Sequence, residues 1–220
     1  MKLVIYGTGG LGKEVYDIAL RVNDEQERWK EILFIDDFKP DGQKSYLSKS
    51  FQFESLNRFI ADFRNIEIVI AVGEPSKRAL LAEKIKKVNL NLTTIIDPSA
   101  IISPTARIGK GSIVASHSII ASNAILDENI LINVNSIIGH DIRVKRDTVI
   151  SSKVNIGGSS VIGERSFLGM GCSIKEKLTI GNDTIIGMGS IVHSDIPDEV
   201  IALGNPARPM RSNSEKRIFK

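Results

Sequence analysis

From Ile96 to Val192 an aliphatic side chain occupies every sixth position, seventeen times without interruption. The run begins Ile96, Ile102, Ile108, Val114 and ends Ile180, Ile186, Val192. A helix repeats at ~3.6 residues and a half-buried strand at every second one, so neither needs this period. A coil with three short faces does, because each face then sends one side chain inward per hexad. The residue two positions earlier is mostly small, as at Ala106, Ser112, Ser118, Ala124, Ser136 and Cys172, which suits tight corners. Gly often follows the aliphatic, as at Gly109, Gly139, Gly157 and Gly163. Such a repeat predicts a parallel β-helix, a quasi-one-dimensional stack of about five coils. No insertion breaks the hexads, so no long loop is expected to project from it.

Residues 1–95 follow a different pattern. Lys2–Tyr6 reads as a short apolar strand, Gly7–Gly12 as a turn opening a helix to about Arg21, and Glu31–Asp37 as a second strand. Phe53–Phe63 looks helical, Ile66–Gly73 is a third strand, Pro75–Val88 a helix with Pro in its first turn, and Leu92–Ile96 a last strand. Strand–helix alternation predicts a parallel sheet of about four strands with crossover helices. The chain then divides into an α/β Rossmann-like domain (1–95), a β-helix with its cap (96–211) and a polar tail (212–220) expected to fray. Pro197, Pro206 and Pro209 predict that Pro197–Arg211 leaves the repeat and folds over the open end.

Composition adds mainly exclusions. The net charge is +3 with 25% charged residues, and the basic residues are scattered, which argues against nucleic acid as a partner. No apolar run approaches the ~20 residues of a membrane span. The first residues run straight into the glycine turn, leaving no room for a secretory signal, so a cytoplasmic location is expected. Cys172 is the sole cysteine, which excludes an intrachain disulfide and a cysteine zinc site; at a small-residue corner it reads as a packed core thiol.

Gly7-Thr8-Gly9-Gly10-Leu11-Gly12 fits G-x-G-x-x-G after a strand and before a helix. There the backbone can approach a phosphate, whose charge the helix N-terminus favours. Asp36 and Asp37 end the second strand, where a carboxylate can accept from ribose hydroxyls or base N–H groups, and Gly73 would line the same crevice. NAD, a single nucleotide including a nucleotide sugar, and a mere packing turn all fit these residues. The missing second mononucleotide half favours the single nucleotide.

His140, followed by Asp141, is a residue the repeat does not need. An aspartate bonded to one ring nitrogen fixes the tautomer and raises the basicity of the other, which suits proton removal from an amine or hydroxyl. A surface His–Asp corner is the alternative. His117 and His193 are expected to face solvent or a subunit contact. The three histidines lie 23 and 53 residues apart, which fits a zinc site poorly, so no metal is expected.

Taken together, these residues resemble the NeuD/PglD-type bacterial sugar acyltransferases among the hexapeptide-repeat acyltransferases. The motifs are Tyr6-Gly7-Thr8-Gly9-Gly10, Phe34-Ile35-Asp36-Asp37-Phe38-Lys39, Ile70-Ala71-Val72-Gly73, Asp97-Pro98, Asn135 to Asp141, and Gly204-Asn205-Pro206-Ala207. The resemblance spans about residues 2–211 and supplies the left hand of the β-helix. It implies acetyl transfer from acetyl-CoA to a sugar, often the amine of a nucleotide-linked amino sugar, for surface glycan or polysaccharide synthesis. It further implies a homotrimer with active sites in grooves between neighbouring β-helices. By position, Gly9, Gly10, Leu11, Asp36, Asp37 and Gly73 match nucleotide-sugar contacts. His140 matches the general base, Asp141 its partner, and Gly158 a glycine whose N–H faces the thioester carbonyl. Met170 and Met188 fall where acetyl-CoA contacts are expected. Val149 stands where the family often has a second, acetyl-CoA-contacting histidine, and Leu11 where it often has His or an aromatic. Arg208, Arg211, Lys175 and Lys177 are candidates for the coenzyme A phosphates. O-acetylation of a sugar hydroxyl, a non-catalytic nucleotide-binding assembly and a nicotinamide-binding protein are the rival readings.

Overall fold

The structure, a computed structural model, describes residues 1–56 and 65–218. Strand β1 (Lys2–Tyr6) lies between the parallel strands β2 (Glu31–Ile35) and β5 (Ile66–Ile70). Helix α1 (Gly10–Gln26) follows β1 and runs past Arg21 to a left-handed cap at Glu27. Its buried Val15, Ile18, Ala19 and Val22 recur at helical spacing and make one apolar face. Helix α2 (Pro75–Lys87) starts on its proline as expected. Strands β3 (Gln43–Ser45) and β4 (Ser48–Phe51) form an unexpected hairpin, giving the sheet order β3-β4-β2-β1-β5. Its segments are polar and short, so they carry no two-residue apolar alternation to betray them. Phe53–Ser55 is a short 3-10 turn, and most of the helix expected over Phe53–Phe63 lies outside the described residues. The expected strand Leu92–Ile96 divides. Leu92 bridges Ile68 in this sheet, whereas β6 (Ile95–Ile96) already belongs to the solenoid.

Seventeen two-residue strands, from β6 to β22 (Ile191–Val192), stack on three faces of a left-handed parallel β-helix. Partners are eighteen residues apart, as in Ile119↔Ile137, Ile125↔Arg143 and Leu131↔Val149. The first face carries Ile113, Leu131 and Val149, the second Ile119 and Ile137, the third Ile125 and Arg143. The second member of each strand points inward, and from Val114 onward these side chains are buried. Each contributes roughly 1.5–3 kcal/mol, set largely against the entropy of ordering the chain.

The small corner residues do more than save space. Ser136 Oγ donates to Ser151 O at 2.8 Å and accepts the Val154 N–H at 3.3 Å. Ser118, Ser160 and Ser166 repeat the arrangement, so hydroxyls satisfy backbone groups inside the corners. Every sixth residue from Gly111 to Gly189 has a left-handed φ, which Asn123, Asn129, Asn135, Asp141, Asp147 and Asp183 accept more readily than most.

The segment after Val192 does not abandon the solenoid. Ile196 pairs with Ile180, and β23 (Val200–Gly204) pairs parallel with the first face through Ile186↔Ala202, a spacing of sixteen rather than eighteen residues. Ile196 and Ala202 are buried in the same core, so the ladder slips by two residues and continues. The prolines had suggested otherwise, but none of them occupies an inward position. Strand β24 (Ala207–Ser212) then returns antiparallel and ends the sheet. The tail is docked to at least Ile218 rather than frayed, because Asn213 and Lys216 bond Asp183.

The N-terminal domain sits on the outside of the first face. Ile95, Ile113, Leu131 and Val149 share one buried cluster with Leu3, Ile5, Val15, Trp29 and Val69. Fully buried Arg78 of α2 reaches across to the solenoid, bonding Asn129 O at 3.0 Å and Asn129 Oδ1 at 2.7 Å. Burial pushes its guanidinium down to about 10, opposed by the nearby Asp147 carboxylate.

Candidate active site

The glycine loop divides into two jobs. A Cβ on Gly7 (φ +119°) would meet Ala71 O at 2.6 Å, and one on Gly12 would meet Gly7 O at 2.1 Å. These two let strand, turn and helix pack closely. Gly9 and Gly10 face open space, with nothing within 4 Å of a built Cβ. Gly9 caps α1 with no side-chain bond, and the first turn carries no acidic residue. Bare N–H groups at this positive helix end therefore meet solvent, a setting that suits a phosphate.

Asp36 and Asp37 follow β2 at the same edge of the sheet. Asp36 accepts from the Thr8 hydroxyl, at a very short distance, and from the Phe38 N–H at 3.1 Å, tying it to the glycine loop. Asp37 is more committed internally. It accepts from Tyr6 OH (2.5 Å), Lys84 Nζ (2.7 Å) and the Phe53 N–H (2.8 Å). Partial burial opposes its ionisation, but those bonds prevail and hold the carboxyl below its usual range. Burial and the Asp37 contact push the Tyr6 phenol up, so the pair is a phenol donating to a carboxylate.

A cleft of about 470 Å³ opens between the domains. Leu11, Glu14 and Gly73 line it from the N-terminal domain, and Val149, Met170 and Met188 from the solenoid. Five expected ligand contacts from two separate sets thus share one cavity. Val149, only 2% exposed, also belongs to the interdomain core and so forms the floor. Met170 and Met188, 52% and 76% exposed, project from the corner between the first and second faces. Asn133, Ser151 and Phe167 line the same cleft and were not anticipated. Their signal is the eighteen-residue register, which stacks Asn133, Ser151 and Gly169 at one corner and Leu131, Val149 and Phe167 on one face.

His140 stands elsewhere, at the corner between the second and third faces, after β13 (Ile137–Ile138) and before β14 (Arg143–Val144). Its Nδ1–H donates to Asp141 Oδ2 at 2.7 Å, and both side chains are exposed. The His140 bond, then that from Asn123 Nδ2 (3.0 Å), keep the Asp141 carboxyl below its usual range. This tautomer leaves Nε2 free to accept a proton. One coil on, Gly158 lies against the ring, where a Cβ would fall 2.6 Å from Nε2. The Gly158 N–H donates to none of the hydrogen bonds found among the described residues. Lys175 and Lys177 flank Glu176 one coil further along this corner, whereas Arg208 and Arg211 lie on β24. His117 and His193 are exposed, and no group of three His, Cys, Asp or Glu suited to a metal exists among the described residues. Cys172 is fully buried, and burial pushes its thiol up to about 12. No helix among the described residues is long and apolar enough to cross a membrane.

The PglD N-terminal domain family matches residues 2–85, and the bacterial transferase hexapeptide family (six repeats) matches residues 159–194. The chain is an acyltransferase that joins a PglD-like N-terminal domain to a hexapeptide-repeat transferase domain. Among solved structures, the acetyltransferase domain of PglB from Neisseria gonorrhoeae FA1090 in complex with acetyl coenzyme A is 29% identical. That match covers 95% of this chain and 98% of the other, with a TM-score of 0.87. PerB from Caulobacter crescentus, in complex with CoA and GDP-perosamine, is 27% identical over 96% of this chain and 98% of its own, with a TM-score of 0.84. WeeI from Acinetobacter baumannii AYE shares the fold at 24% identity, covering 96% of this chain and all of that one, with a TM-score of 0.88. No curated protein sequence matches the chain. In this chain the separation of the His140 corner from the interdomain cleft is the geometric fact any acyl-transfer mechanism must accommodate.

Proposed function

We propose that this acyltransferase moves the acetyl group of acetyl-CoA to the amine of a nucleotide-linked amino sugar. The observation that carries the reading is the continuity between the bare Gly9–Gly10 helix end and the cleft of Leu11, Gly73, Met170 and Met188. A diphosphate at that helix end puts its attached sugar into the cleft. The similar PerB structure holds CoA and GDP-perosamine, and that of the PglB domain acetyl coenzyme A. Asp36, tied to the glycine loop, is the carboxylate best placed for the nucleoside, and Asp37 stiffens the site through Lys84 and Tyr6.

In this proposal His140 Nε2 takes a proton from the attacking amine. The new bond forms at the thioester carbonyl, the Gly158 N–H stabilises the oxyanion, and coenzyme A leaves as the thiol. Positioning supplies most of the acceleration. In one copy the second face separates His140 from the cleft. Its outer surface carries Ile101, Ile119 and Ile137, which are 63%, 36% and 42% exposed. That apolar stripe fits a second copy of the chain, so the active site is completed between neighbours in a closed trimer. A cytoplasmic location and a role in surface glycan synthesis belong to the same proposal.

The test is release of free thiol from acetyl-CoA over a panel of UDP-, dTDP- and GDP-linked amino sugars, with products weighed by mass spectrometry. An acetamido product supports the reading. Acetylation only of sugar hydroxyls would replace the amine as acceptor, and silence across the panel would defeat the proposal.

A further inference from the structure

Residues 213–218 leave β24 and run back to the N-terminal domain along a course fixed by three sets of contacts. The Asn213 N–H donates to Glu199 O and its side-chain amide to Asp183 O, both at 2.8 Å. Lys216 Nζ lies 3.2 Å from Asp183 Oδ2 and 2.8 Å from Glu199 Oε1. The Ile218 N–H then reaches the Glu74 carboxylate, at 3.0 and 3.1 Å from its two oxygens. Glu74 is 3% exposed, caps α2, and directly follows the cleft residue Gly73. The Ile218 side chain, half-buried, lines the cleft together with Leu11, Gly73, Met170 and Met188.

The solenoid does not need this segment, because β24 already ends its sheet. Ordering a polar stretch costs conformational entropy, and here a doubly clamped lysine and a buried carboxylate offset that cost. Their combined effect is to hold one apolar side chain in the cleft. We propose that residues 213–218 form a strap that makes Ile218 a wall of the acceptor pocket, so that Ile218 limits the size of the sugar lying beside the glycine loop. This deepens the acceptor assignment made above and rests on it. Ile218 touches the sugar; Lys216 is a positioning residue that acts through the strap.

Steady-state kinetics of the full chain and of Ile218→Ala, Ile218→Val and Lys216→Ala test the strap, with thermal denaturation alongside. Truncating Ile218 to Ala should raise the acceptor KM about fivefold to tenfold, while kcat and the acetyl-CoA KM stay within about twofold. Ile218→Val should recover most of the loss, and Lys216→Ala should shift the acceptor KM in the same direction by less. An acceptor KM unchanged in Ile218→Ala, or a parallel rise in both KM values, overturns the strap while leaving the acetyltransferase reading intact. If the wild-type chain neither turns over nor binds any nucleotide sugar by calorimetry, the acceptor reading fails and the strap fails with it.

Discussion

His140 and Gly158 form one unit, although they lie a full coil apart. A side chain at Gly158 would enter the volume of the imidazole, with its Cβ 2.6 Å from Nε2. Gly158→Ala should therefore displace the ring and cut turnover at least tenfold or so, with little change in Tm, because ring displacement at an exposed corner leaves the core intact. His140→Ala should lower kcat by about 10²–10⁴ in thiol-release assays, and Asp141→Asn by roughly 10–100-fold through loss of tautomer control. A well-folded His140→Ala protein that keeps wild-type turnover would show that another group takes the proton. The sequence singled out His140 and Asp141 together, and the structure joins them at 2.7 Å but explains their presence differently. Asp141 occupies a left-handed corner position that Asn123 and Asn135 fill in other hexads, so the coil accounts for an aspartate there. Only the imidazole lacks a packing reason.

At the scale of the element, the hexad ladder was readable because inward positions tolerate nothing but aliphatics, and they recur without a gap. The serine ladder was half readable. Its size requirement shows in the sequence, whereas its bonds depend on a neighbour fifteen or eighteen residues away. Ser136→Ala preserves volume but leaves the Ser151 carbonyl and the Val154 N–H without their hydroxyl. It should cost about 1–3 kcal/mol, visible as a lower denaturation midpoint. The two-residue slip after Val192 was hidden because Ile196 and Ala202 fall out of phase with the preceding seventeen aliphatics. The docking of the tail was hidden because it rests on scattered hydrogen bonds and on the Lys216 ion pairs, neither of which has a periodicity. Those pairs make a pH prediction. Burial opposes ionisation of Asp183, but bonds from Arg165 and Lys216 outweigh it and lower its carboxyl. A carboxylate with a depressed folded value stabilises fully above its unfolded value, and the contribution is lost as pH falls through the folded one. The wild-type midpoint should accordingly fall more steeply on acidification below about pH 4 than that of Asp183→Asn, which has no such proton to bind.

For the whole molecule, the sequence showed both halves of the candidate site but not their separation, since distance between corners is a property of the coil rather than of any motif. The cleft joins Leu11 and Gly73 to Met170 and Met188 within one chain, while His140 faces away across the second face. If catalysis needs both, the base of one copy serves the cleft of its neighbour, and two differently damaged chains should repair each other. Gly10→Glu places a carboxylate where the acceptor phosphate is expected, in open space that accepts the side chain without strain. Mixed with His140→Ala under conditions that exchange subunits, it should give mixed assemblies, of the closed trimer proposed above, in which some sites combine an intact histidine with an intact cleft. Random assembly from equal amounts makes such sites about a quarter of the total in a closed ring of identical interfaces. The mixture should thus recover about a quarter of wild-type turnover from two nearly inactive parents. No recovery, despite exchange verified by native mass spectrometry, would mean that the histidine and the cleft of a single chain act together, and the apolar stripe of Ile101, Ile119 and Ile137 would need another occupant.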